Sequence, residues 1–76
     1  MAAAKRFRLE CGPFLMEVTG VDNNIWIGRV DGVGEHYKAT CTDEKVAKND
    51  CIEAAKRILS QKHMEMPTSL TNPEWM

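Results

Sequence analysis

The run "TDEKVAKNDCIEAAKRIL", residues 42–59, decides how the rest of the chain is read. Thr42 suits an N-cap, and Asp43 and Glu44 stand where the partial positive charge of a helix start favours acids. Ala47, Cys51, Ala54, Ala55 and Ile58 follow the i, i+4, i+7, i+8, i+11 spacing of one helical face. Ile52 and Leu59 fall at the edge of that face, and Asn49, Glu53 and Lys56 point away from it. The spacing predicts a helix from about Asp43 to Gln61. A face of alanines and one cysteine lets such a helix lie close against a sheet.

Upstream the period changes from helical to alternating. "KRFRLE" sets Phe7 and Leu9 against Arg6, Arg8 and Glu10, and "FLMEVTGV" sets Phe14, Met16 and Val18 against Leu15, Glu17 and Thr19. Gly12-Pro13 interrupts the two, a pattern compatible with two strands or with one bent strand. "DNN" at 22–24 and "DGVG" at 31–34 are turn signals. Between and after them, "IWIGRV" is rich in β-branched and aromatic residues, and "EHYKATC" alternates Tyr37, Ala39 and Cys41 against His36, Lys38 and Thr40. The expected fold is α+β, an antiparallel meander of three or four strands with one long C-terminal helix packed on one face. Residues 1–61 form a single domain on this reading. Residues 62–76, with two prolines and no period, are expected to form an extended or disordered tail, with docking through Trp75 as the alternative.

Composition narrows the function classes. A chain of 76 residues that is 43% hydrophobic and 28% charged is an ordinary globular domain near the lower size limit for one core. A net charge of −1 does not suit a protein that lives by phosphate contacts alone. The sequence contains no apolar stretch long enough for a membrane span, and "MAAAKRF" lacks the apolar core of a signal peptide. Three cysteines without a CxxC pair suit free thiols, so a cytoplasmic, reducing location is expected. Cys11, Cys41, Cys51, His36 and His63 are metal-ligand types, but none has the local pairing of a zinc site, and no metal or cofactor is expected. Neither a Cys–His nucleophile pair nor two carboxylates facing each other across a substrate is indicated, so the chain reads as a non-enzymatic module without a small-molecule substrate.

Trp26 has two readings, core residue or interface anchor. With His36, Tyr37 and Lys38 it makes up the set of candidate partner-binding residues. The edge strands of a short meander carry unpaired backbone groups. "KRFRLE" is charged enough to protect its edge and "HYKATC" less so, which predicts a homodimer or the capture of a partner strand.

A meander running into "EKVAKNDCIEAAKRIL", with Lys45, Ala47 and Lys48 followed by Ala54, Ala55 and Leu59, resembles the carboxy-terminal part of a double-stranded RNA-binding domain (dsRBD). That family's second helix opens K-K-x-A-K and continues with alanine pairs and a closing leucine. "IWIGRV" and "HYKATC" lie where its second and third strands would be, and Gly12-Pro13 where its first loop would be. The resemblance covers about residues 6–60. It implies duplex-RNA binding through Lys45 and Lys48, with Lys5, Arg6 and Arg8 as a second phosphate contact.

The sequence departs from the pattern at three points, one of them a connection between the strands that reads as longer than the family's. The family's first helix has no counterpart before "RFRLE", and Glu44 stands where the first lysine of the basic triplet belongs, preceded by Asp43. A helix start attracts phosphate through its free N–H groups, and acids placed there satisfy those groups internally and repel an anion. A Glu44–Lys48 pair at i, i+4 would occupy one of the two remaining lysines. The leading expectation is therefore a dsRBD-like protein–protein interaction module within an RNA-associated or regulatory assembly. Double-stranded RNA binding is the alternative, and a phage-type inhibitor or antitoxin the second alternative.

Overall fold

A computed structural model describes residues 5–76. Four strands, β1 (Arg6–Cys11), β2 (Phe14–Asp22), β3 (Ile25–Gly32) and β4 (Glu35–Cys41), precede a long helix α1 (Glu44–Gln61) and a single-turn helix α2 (Thr68–Thr71). The strands form one antiparallel sheet in the order β1-β2-β3-β4. β1 and β2 are thus two strands, and Gly12-Pro13 is the turn between them. Val33-Gly34 closes the last hairpin with positive φ at both residues (47° and 76°), the twist a two-residue turn needs to match its strands.

Alternation assigns the faces of the sheet. Leu9, Cys11, Phe14, Met16, Val18 and Val30 are buried on the side covered by α1, as their period-2 spacing requires. From α1 the core receives Ala47, Cys51, Ile52, Ala54, Ala55 and Leu59. Full burial of a side chain such as Met16 or Leu59 contributes about 1.5–3 kcal/mol each. The helix lies unusually near β3. A Cβ at Gly28 would fall 2.7 Å from Cys51 Sγ and 3.4 Å from the carbonyl oxygen of Ala47, so the missing side chain is what admits the helix.

Three details of the helix and tail differ from the sequence-based expectation. The N-cap is Asp43, not Thr42: its backbone is extended, and its carboxylate accepts from the Val46 N–H at 2.9 Å. Ile52 and Leu59, expected at the edge, are buried, whereas Ile58, expected on the central face, is half-buried. The third difference lies beyond the helix. Beyond Gln61 the chain turns through His63, at φ 54°, and the Met64 N–H closes back on the Leu59 carbonyl. It then forms α2 and buries Leu70 to 2% exposure in the core cluster, covering the side of α1 that carries Ile52. Residues 62–76 thus fold back rather than extend, and Trp75 packs half-buried against the core, the docked alternative that the sequence offered.

The Gly28 contact yields a direct test. Gly28→Ala should destabilise the fold by about 1–3 kcal/mol, because overpacking at a rigid contact forces the helix outward. Cys51→Ala in the same chain should recover part of that loss, since it removes the clashing sulfur. Chemical denaturation of the wild type, both single variants and the double variant measures the coupling, and additive effects would place the helix elsewhere.

Candidate functional site

The residues singled out in the sequence fall into separate environments. Lys45 lies exposed at the start of α1, whereas Lys48 is drawn inward. Its ammonium donates to Glu44 at 2.9 Å and lies 3.7 Å from the centre of the Phe7 ring and 5.8 Å from that of Trp75. The expected i, i+4 pair therefore forms, and two aromatic faces add cation–π attraction to the same charge. Of the two lysines at the helix start, only Lys45 remains extended toward solvent. Lys5, Arg6 and Arg8 are exposed on and beside β1, well separated in sequence from that lysine, and Arg6 lies 3.8 Å from Glu17.

Trp26 and Tyr37 belong to the helix side of the sheet. The Trp26 ring crosses Gly20, is half-buried and sits 6.2 Å from Phe7 between ring centres. Tyr37 donates its hydroxyl to Asp50 of α1, and Arg57 sits 5.8 Å from its ring. The Asp50 carboxylate accepts that proton's hydrogen bond and so raises the Tyr37 phenol above its ordinary value, with burial adding to the effect and Arg57 opposing it. Tyr37 thus ties the helix to the sheet, while Trp26 packs across the sheet between Gly20 and Phe7.

His36 and Lys38 occupy the opposite, open face. The register across the sheet sets Arg8 beside Glu17, Glu17 beside Arg29 and Arg29 beside Lys38, a transverse row of three cations and one acid. A second row places Leu15 beside Asp31 and Asp31 beside His36, whose Nδ1 meets the Asp31 carboxylate. Leu15 is 38% exposed on this face, with Ile27 half-buried on the row beyond the cations. The surface is mixed in charge and carries no aromatic platform.

The two sheet edges differ. Gly32 and Glu35 flank the two-residue turn and so form a hydrogen-bonded pair, which directs the N–H and C=O groups of His36, Lys38 and Thr40 outward from β4. No described residue pairs with them. On β1 the Gly20 N–H bonds to the Lys5 carbonyl at 2.8 Å, so Arg6, Arg8 and Glu10 point outward. Arg8 is met there by the tail: its N–H donates to the Met76 carbonyl at 2.7 Å, and its own carbonyl accepts from the Met76 N–H at 2.9 Å. Neither the burial of Leu70 in the core nor the pairing of Met76 at this edge is legible from the sequence pattern. The signal available was Trp75, a large aromatic in an otherwise polar stretch.

The three cysteines are free thiols. Burial, with the Asp50 charge nearby, pushes the Cys51 thiol up to about 12, and the thiol donates toward the Arg29 carbonyl at 3.8 Å. Burial likewise raises Cys41, with Asp50 and Asp43 contributing. Both are held as neutral thiols, the opposite of what nucleophilic or metal-binding sulfur requires. Among the described residues no group of three or more His, Cys, Asp or Glu is arranged to hold a metal, and no helix is long and apolar enough to cross a membrane. Comparison with protein-family models, curated proteins and solved structures finds no match to the chain.

A thiol raised in the fold stays protonated where the unfolded chain has already released its proton. Stability from Cys51 is therefore complete below pH 9 and is lost as the pH climbs toward about 12. Thermal melts across that window should show a falling midpoint for the native chain and a shallower fall for Cys51→Ala. An equal slope in both would mean that Cys51 ionises freely in the fold.

Proposed function

We propose that the chain is a non-enzymatic protein-interaction module of dsRBD-like architecture that recruits an extended strand, from a partner protein or a second copy of itself, along the open edge of β4. The observation that carries this reading is the row of outward backbone groups at His36, Lys38 and Thr40, unpaired among the described residues. Strand addition draws its affinity from such main-chain groups and its selectivity from alternating side chains. Here those side chains are His36, Lys38 and Thr40 on the open face and Tyr37 and Ala39 on the other. A cytoplasmic setting fits three free thiols.

Duplex RNA is the less favoured ligand, because Lys48 is committed to Glu44, Phe7 and Trp75. Recognition of duplex RNA relies on backbone contacts spread over two minor grooves and the intervening phosphates. One exposed lysine at the helix start is a poor substitute for a basic triplet.

Lys38→Pro tests the proposal without dismantling the sheet. The Lys38 N–H points outward, so proline removes an edge donor and no bond of the β3 ladder. The native chain should self-associate with rising concentration in sedimentation, or select strand-forming peptides from a displayed library, and Lys38→Pro should lose both while keeping its melting midpoint within a few degrees. A native chain that stays monomeric and selects the same peptides as Lys38→Pro would overturn the assignment of this edge.

A further inference from the structure

The edge of β1 already carries an extended segment, and the occupant shows what the site accepts. Arg8 uses both backbone groups on Met76, and Trp75 stands half-buried where Lys48 faces its ring and that of Phe7. We infer that this edge and the adjoining slot beside Lys48, whose far side rests on Phe7, form a second docking site, for an extended segment of a partner protein carrying an aromatic residue, which residues 73–76 occupy in cis. The inference rests on the reading of the chain as a protein-interaction module but not on the β4 edge.

The contacts are generic where exchange needs them to be. Paired backbone groups accept any extended segment, and a lysine ammonium accepts any aromatic face. The occupancy is also partial. Glu10 turns its backbone groups outward beside the tail, yet residues 73–76 pair with Arg8 and not with Glu10, so a strand running straight along this edge gains bonds that these residues do not make.

The latch is lightly built. Met76 is 82% exposed, and an open groove of about 460 Å³ separates the tail from α1, bounded by Ile52, Leu70 and Pro73. Leu70, by contrast, is 2% exposed in the core. Residues 73–76 can therefore leave while α2 stays anchored. Tethered so close to its site, the tail competes at an effective concentration on the order of millimolar. A partner must overcome that competition.

The test uses the whole chain and a fluorescein-labelled peptide of residues 71–76, TNPEWM. Trp75→Ala weakens the latch and should bind this peptide about tenfold or more tighter than the native chain does, given the tethered competitor. The same peptide with alanine in place of tryptophan should not bind. Should Trp75→Ala fail to fold, the native chain serves instead: excess peptide should shift the Arg8 amide resonance. Absence of binding to folded Trp75→Ala, equal affinity for both chains, or an unmoved Arg8 resonance would each overturn the inference. A native dimer that dissociates on Trp75→Ala would assign the slot to a second copy's tail and overturn occupancy in cis. Lys38→Pro should leave peptide binding intact. Its loss there would place the peptide on β4, overturning this inference while sparing the proposed function.

Discussion

The close contact between α1 and the backbone of β3 at Gly28 fixes the positions of the other interacting groups. Only a helix face of alanine and cysteine, meeting a strand position without a side chain, allows Cys51 Sγ to come within 2.7 Å of where a Cβ would stand. That approach sets the axial position of the helix, and with it the reach of each polar residue along its flanks. Asp50 arrives at the hydroxyl of Tyr37, and Lys48 arrives over the ring of Phe7. The lysine then supplies one wall of the slot that receives Trp75, and Trp75 delivers Met76 to the edge of β1. A small-residue seam in the core thus governs what happens at the margin of the sheet.

The same arrangement accounts for where the charges go. Asp43 caps the helix, Glu44 holds Lys48, and Arg57 sits over Tyr37, so much of the polar equipment of α1 is turned to holding the fold. None of the buried side-chain nitrogen or oxygen atoms among the described residues lacks a hydrogen-bond partner. What stays unmatched among the described residues is backbone: three residues of β4, and two of the three outward residues of β1. Exposed strand edges invite pairing with another chain, and proteins that leave them open either guard or use them. Here one edge is partly closed by the chain itself and the other is open, an asymmetry that the proposed function takes as its basis.

The α+β class, an antiparallel sheet of three or four strands and the long helix were legible in the sequence, because each strand alternates cleanly and the helix repeats at 3.6 residues; the turn at Gly12-Pro13 is what makes the strands four. The inward-facing set on β2 and the Glu44–Lys48 pair were legible for the same reason, being fixed by local spacing. The N-cap was displaced by one residue because Thr42 and Asp43 are both competent caps, and only the backbone geometry at 43 chooses between them. The exchange of roles among Ile52, Ile58 and Leu59 was not legible. Helical spacing alone makes Ile58 central, whereas burial falls on Leu59 and on Ile52, the latter on the flank that faces Leu70 of the distant tail. The tail itself has no period to read: Leu70 and Trp75 are single apolar residues in polar surroundings, and their placement depends on a slot assembled from β1 and α1. The candidate surface was half legible. His36 and Lys38 could be assigned to the open face by alternation, whereas the roles of Trp26 and Tyr37 depend on how near the helix lies.

Seating α1 on Gly28 sets Lys48 against Glu44 and over the Phe7 ring, a structural role that competes with any contact to phosphate. A fluorescence-anisotropy titration of a short RNA duplex, at two salt concentrations, against the native chain and the Lys45→Ala/Lys48→Ala variant tests it most directly. The native chain should bind weakly, in the nonspecific range of about 10⁻⁴–10⁻⁶ M known for unselected charge contacts. The double substitution should change that affinity little while lowering the melting midpoint, since Lys48 is lost from between Phe7 and Trp75. Submicromolar binding by the native chain that falls steeply with salt and vanishes in the double variant would contradict it.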